Sequence, residues 1–175
     1  MATKMNAVLF DLDETILDRK VSLRDFTIWQ ARGMLRNSIS DVEKFSDRFI
    51  ELDKNGLVWK DVVYAQLIDE FQISDWSVPE LLQTYELCFS GLCKAKYHVI
   101  EAIRTLAKEG FKLGLVSNGK SPFQKRNFNA LGVSELFGAV VVSEAVGFRK
   151  PEKEIFELAC VSLGVPSEKG CFCWR

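Results

Sequence analysis

The segment Phe10-Asp11-Leu12-Asp13-Glu14-Thr15 sets two carboxylates two residues apart, directly after the apolar run Ala7-Val8-Leu9-Phe10. Carboxylates in a strand-to-loop turn are often merely solvated, so the pair gains weight from what else the chain can bring beside it. Ser117-Asn118-Gly119 follows a second apolar run and offers a hydroxyl and backbone N–H groups in a tight turn. Lys150-Pro151 follows a third run after the loop 144–149. Two carboxylates, a hydroxyl and an ammonium around one point suit phosphoryl transfer. That reaction needs a nucleophile, a neutralising cation and donors for the equatorial oxygens.

The elements that must position these groups are legible. Runs 7–10, 112–117 and 139–143 are short and continuously apolar, the mark of buried parallel strands. Helical patterns at 97–109, 122–131 and 152–163 alternate with them. Gly110, Gly132 and Gly164 supply the stops, and Ser121 with Pro122 gives the second helix a start. Strand alternating with helix is the pattern of a parallel sheet covered on both faces. The stretch between the first strand and residue 97 differs: four helical patterns, 23–36, 41–53, 60–71 and 79–92, predict a small bundle. The expected fold is thus α/β, a Rossmann-like three-layer core of residues 1–16 and 95–175 with an inserted helical bundle, 17–94.

Of 175 residues, 23 are basic and 24 acidic, for a net charge of −1. This balance gives no electrostatic reason to expect nucleic acid or an anionic membrane as partner. No apolar run is long enough to cross a bilayer, and the first residues lack a secretory signal, so a cytoplasmic setting is expected. The odd number of cysteines, Cys88, Cys93, Cys160, Cys171 and Cys173, argues against a disulfide framework. Each is expected to be a buried or idle thiol. His98 is expected to be structural or exposed. Lys120 and Arg149 flank the motifs and are as readily solvated as substrate-binding, and Glu144 is a candidate to reach a metal-bound water should the site take a metal.

With these motifs in this order, the sequence resembles the haloacid dehalogenase superfamily of hydrolases. Asp11-Leu12-Asp13-Glu14-Thr15 matches its first motif, Ser117 its second and Lys150 its third. The helical insertion resembles the cap of one subgroup, which closes over substrate and sets specificity. The resemblance implies that Asp11 is the nucleophile, forming an aspartyl-phosphate that water hydrolyses. It implies that Asp13 is the general acid and base. Ser117 and the Asn118 backbone then hold a phosphoryl oxygen, and Lys150 offsets charge on Asp11 and the phosphoryl group. Mg²⁺ would bind the Asp11 carboxylate and the Asp13 backbone carbonyl. Dehalogenases of the family lack the second aspartate, so a phosphatase of small phosphorylated metabolites is expected. A 2-haloacid dehalogenase and a phospho-accepting signalling domain rank behind it.

The family's fourth motif, a further strand ending in acidic metal ligands, is not matched. The chain ends Lys169-Gly170-Cys171-Phe172-Cys173-Trp174-Arg175. A single inserted T would turn codons for Cys-Phe-Val-Gly-Asp into codons for Cys-Phe-Cys-Trp-Arg. The expectation is therefore a frameshifted, truncated member, against the alternative of a chain that diverged at its end. Loss of that strand would leave the strand carrying Asp11 at the sheet edge. It would also favour self-association there and impaired or absent catalysis.

Overall fold

Strands buried on both faces have no polar alternation to offer, and this chain bears that out at the two central runs. In the structure, a computed structural model describing residues 6–167 and the backbone of 170–173, these runs form β1 (Ala7–Phe10) and β2 (Lys112–Ser117). With β3 (Phe137–Val142) and β4 (Gly170–Cys173) they make a parallel sheet of order β3-β2-β1-β4. Leu9 pairs with Gly114 on one side and Phe172 on the other. The helices, in chain order, are α1 (Arg19–Gly33), α2 (Val42–Asp53), α3 (Lys60–Glu70), α4 (Val78–Cys88), α5 (Val99–Lys108), α6 (Ser121–Asn129), α7 (Ser143–Val146) and α8 (Lys153–Leu163).

The expected open edge at β1 is corrected: β1 is hydrogen-bonded on both sides, to β2 and to β4. The tail lacks the acidic motif expected to end such a strand, yet β1 is only four residues long and Gly170–Cys173 suffices to complete its ladder. Self-association through an exposed β1 loses its basis with that pairing. The readings attached to Trp174 and Arg175, and to the thiols of Cys171 and Cys173, lie outside the described residues.

The fold divides into two compact units, Met1–Arg19 with Cys93–Arg175, and Lys20–Leu92. In the first, α8 lays Ile155, Ala159, Cys160 and Leu163 on Ala7, Leu9, Val116, Ala139 and Val141 of the sheet. Burial of the larger of these, Leu9, Val116, Val141, Ile155 and Leu163, contributes roughly 1.5–3 kcal/mol each. On the other face, Phe128 of α6 meets Phe137 edge-on at 4.8 Å, and Phe137 lies 5.8 Å from Phe10. α8 ends where Gly164 takes a left-handed conformation (φ 62°), which a side chain resists.

The second unit is all helical and packs on aromatic side chains. Phe26, Tyr85 and Phe89 lie within 5.9 Å of one another, and Phe49 meets Tyr64 edge-on at 5.3 Å. Several buried polar groups here are paired: the Thr27 and Ser46 hydroxyls share a bond of 2.6 Å, and the Tyr64 hydroxyl donates to Gln30 Oε1 at 3.0 Å. Asp53 pairs with Lys60 while accepting the Gly56 amide. At the start of α4, Glu80 accepts from the Ser77 hydroxyl and amide, and these bonds hold its pKa below the usual value. A depressed carboxyl contributes stability above the ordinary glutamate range and loses it as pH falls through the lowered value. Glu80→Gln is therefore expected to lower the thermal midpoint at neutral pH and to change nothing in strong acid, as a pair of melting curves would show.

Helix boundaries fall within a few residues of expectation, with two informative exceptions. The expected helix over 79–92 leaves α geometry at Cys88 and finishes as a 3₁₀ turn, Phe89–Leu92. Ser143, expected to close the third strand, instead opens the short α7, and the reason lies in the site itself.

Candidate active site

Chain order runs outward from β1 through β2 to β3, then returns to the far side of β1 for β4. The carboxyl end of β1 is thus the point where strand order reverses, the place where open α/β sheets receive ligands. Asp11 follows β1 there. Its carboxylate accepts the Leu12 amide at 2.7 Å and pairs with Lys150 Nζ at 2.5 Å. The Asp11 side chain keeps 24% of its exposure against 11% for Lys150, so the ammonium is the more enclosed partner.

Beyond Asp11 the backbone winds tightly. The Leu12 carbonyl accepts the amides of Thr15, Ile16 and Leu17, and Glu14 adopts a left-handed conformation (φ 62°). Residues 93–96 brace this loop. The Asp18 amide donates to the Lys94 carbonyl and the Lys96 amide to Ile16, both at 2.8 Å, while Lys96 Nζ pairs with Glu14 at 2.6 Å. The loop thereby turns the half-buried Asp13 toward α6, where Gln124 Nε2 donates to Asp13 Oδ2 at 2.8 Å. Burial pushes the Asp13 pKa up. The Gln124 bond and Arg19 pull it down, neighbouring Asp11 raises it, and Lys150 lowers it; the balance is upward.

Ser117 ends β2, almost fully buried, beside Asn118 and Gly119. The Asn118 side chain clasps the backbone of Lys150: its Oδ1 accepts the Lys150 amide at 2.8 Å and its Nδ2 donates to the Lys150 carbonyl at 3.1 Å. The second and third motifs are thus joined by a reciprocal pair of bonds. Gly119 donates its amide to Ser143 Oγ at 3.0 Å, and the Ser121 amide donates to Glu144 at 2.8 Å. These bonds explain α7. The Glu144 carboxylate sits on the first turn of α6, a favourable place for a negative charge, which differs from the metal-bound water expected of it.

The structure therefore brings Asp11 and Lys150 into contact and links Lys150 to Asn118 and Asp13 to Asn118 through Gln124. His98 is exposed and pairs with Glu101 at 3.1 Å, away from these groups. Lys120 and Arg149 are exposed. Cys160 is a buried free thiol, and Cys93 is half-buried with its pKa pushed up to about 12 by burial and by Asp13, so it stays an unreactive thiol. Sequence reasoning missed Gln124 and the capping role of Glu144.

These groups offer a divalent cation two oxygen donors. The Asp13 carbonyl accepts no hydrogen bond among the described residues, because the turn around it is closed by its neighbours' amides and carbonyls. It and the Asp11 carboxylate are hard oxygen donors. Among the described residues no group of three or more His, Cys, Asp or Glu side chains stands together. Two protein oxygens still fit Mg²⁺, which keeps several waters and takes ligands from substrate phosphate. Among the described residues no helix is long and apolar enough to cross a membrane.

Comparison with known proteins agrees with this architecture. A family model described as haloacid dehalogenase-like hydrolase matches residues 8–172. The chain is 28% identical over 184 residues to the glyceraldehyde 3-phosphate phosphatase of Methanothermobacter thermautotrophicus, covering 94% of this chain and 74% of that one. It is 34% identical over 171 residues to a Clostridium perfringens protein provisionally named a pyrophosphatase, covering 94% and 72%. Among solved structures, a phosphatase of the same family from Thermococcus onnurineus matches with a TM-score of 0.60 and 25% identity, over 96% of this chain and 76% of that one. An L-2-haloacid dehalogenase matches with a TM-score of 0.64 and 22% identity, over 97% and 75%. Both chemistries occur on this fold, so the shape alone does not choose between them.

Proposed function

Because the chain belongs to the haloacid dehalogenase-like hydrolase family, we propose that it is a phosphatase of small phosphomonoesters that works through an aspartyl-phosphate on Asp11. The observation that carries this reading is the Asp11–Lys150 contact at the end of β1, with a second carboxyl two residues on whose pKa burial raises.

The steps follow from the residues. The Ser117 hydroxyl and the Asn118 backbone hold a phosphoryl oxygen, and the Lys150 ammonium offsets the charge gathered there. An Asp11 carboxylate oxygen attacks phosphorus. The bond to the ester oxygen breaks, and that oxygen leaves with the electron pair and a proton from Asp13. Asp13, now a carboxylate, takes a proton from the water that attacks the phosphoryl group, and Asp11 is regenerated. The Asp11 carboxylate and the Asp13 carbonyl would hold a Mg²⁺ ion, which when bound would supply further neutralisation of phosphoryl charge. The inserted helical unit is assigned the choice of substrate.

A dehalogenase has no need of the second carboxyl. Halide is a weak base that leaves without a proton, whereas an alkoxide requires one, so Asp13 favours the phosphatase. Relatives named as glyceraldehyde 3-phosphate phosphatases make three-carbon phosphates the first substrates to try.

The test is phosphate release from a panel holding glyceraldehyde 3-phosphate, pyrophosphate, a pyrimidine nucleoside monophosphate and p-nitrophenyl phosphate. Turnover is expected with Mg²⁺ and is expected to vanish on chelation with EDTA, returning when Mg²⁺ is restored. Halide release from a 2-haloacid, with no phosphate released from any member of the panel, overturns the reading.

A further inference from the structure

Gln124, which belongs to none of the three motifs, touches both the first and the second. Its side chain is 5% exposed, and its Nε2 donates to Asp13 Oδ2 at 2.8 Å and to the Asn118 carbonyl at 3.1 Å. The orientation of the amide is fixed by chemistry: a backbone carbonyl only accepts, so the atom facing both partners is the nitrogen, whose two hydrogens serve one acceptor each. Its Oε1 is buried with no partner among the described residues. The loop is shaped around the same side chain. A Cβ at Gly119 (φ 141°) would lie 3.0 Å from Gln124 Nε2 and 3.1 Å from its Cγ, so a side chain there would press on Gln124 as well as strain the backbone.

We infer that Gln124 is a positioning residue that holds the Asp13 carboxyl by Oδ2 and so leaves Oδ1 as the oxygen that passes the proton. An oxygen accepting an N–H bond keeps its lone pair engaged and is the poorer site for the proton. The donated amide thus distinguishes two otherwise equivalent carboxyl oxygens and stops the group from rotating between them. The same amide ties this carboxyl to the Ser117-Asn118 turn, so proton donor and phosphoryl-holding turn keep one geometry. The inference rests on the phosphatase reading and adds to it a residue from outside the three motifs.

The experiment compares phenyl phosphate with p-nitrophenyl phosphate in the native chain and in Gln124→Met, which keeps length but has no donor. The two esters are close in shape, but phenolate needs a proton to leave far more than p-nitrophenolate does. A well-placed general acid contributes about 10²–10⁴-fold, so loosening it is expected to lower kcat on phenyl phosphate about tenfold or more. On p-nitrophenyl phosphate the loss is expected to stay under about threefold, with KM for both within about twofold, since the missing help is proton transfer alone. Equal losses on the two esters, or a loss confined to KM, overturn the assignment while leaving the phosphatase intact. If the native chain hydrolyses neither ester nor any member of the panel, the phosphatase reading falls and the assignment falls with it. Should Gln124→Met fail to fold, Gln124→Asn, which keeps an amide but draws it back by one methylene, carries the same expected split and the same overturning outcome.

Discussion

Asp11→Asn is expected to lower kcat for phosphate release by at least about 10⁴-fold, the scale seen when an enzyme loses its nucleophile. An amide oxygen is a poor nucleophile and forms no stable acyl phosphate, so no neighbouring group can substitute. The substitution is nearly isosteric, and the Leu12 amide that donates to Asp11 at 2.7 Å can still donate to the Asn side-chain oxygen. Structure is retained, but charge is not. The ion pair with Lys150, the more enclosed member, is lost, and removing one charge of a partly buried pair is destabilising. The variant is therefore expected to melt below the native chain as well as to be inactive. Acid-quenched native protein incubated with substrate is expected to carry phosphate on the peptide containing Asp11, and the variant none. Activity within tenfold of native would remove Asp11 from the nucleophile's place. Phosphate found on another residue would do the same.

What could be read in the sequence, and what could not, divides along a physical line. β1 and β2 match the expected runs 7–10 and 112–117 at every position, because a strand buried on both faces declares itself by unbroken apolar character. The meeting of Asp11 with Lys150 was also legible, since parallel strands bring their carboxyl ends to one side whatever lies between them. Gln124 was not legible. It stands 111 positions from Asp13, on a helix whose pattern reads as one more amphipathic element, and a single buried glutamine carries no periodic signal. The Glu144 carboxylate on the Ser121 amide is a cap supplied from another part of the chain, so the local start signal at Ser121 misplaced the helix by one residue. β4 was missed because the tail lacks the acidic residues that mark the family's last strand, and pairing with β1 does not depend on them. Local propensity reads elements; pairing and tertiary capping are decided by partners that are distant in sequence.

The sheet that carries Asp11 also contains a test of its own packing. Leu9 on β1 lies opposite Gly114 on β2, and a Cβ at Gly114 would fall 2.6 Å from Leu9 Cδ2 and 3.2 Å from Leu163 Cδ1. Leu9 is 2% exposed within the face that α8 covers, so its side chain has no open space to turn into. Gly114→Val is expected to cost about 1–3 kcal/mol through forced displacement of neighbours. Leu9→Ala is expected to cost about 2–5 kcal/mol through lost burial and the cavity left behind. Each defect is the complement of the other: the valine methyls occupy part of the volume that Leu9 vacates. The double variant is therefore expected to be more stable than the sum of the two costs allows, by at least about 1 kcal/mol in a denaturant-unfolding cycle. Gly114→Val alone is also expected to lower kcat, because pressing β1 from β2 shifts Asp11 relative to Ser117, and a displacement near 1 Å can cost about 10²-fold. Leu9→Ala in the same chain should recover part of that loss along with the stability. Strict additivity of the two free energies would mean that Leu9 and Gly114 do not share the space the geometry gives them, and that β1 is held in place by other contacts.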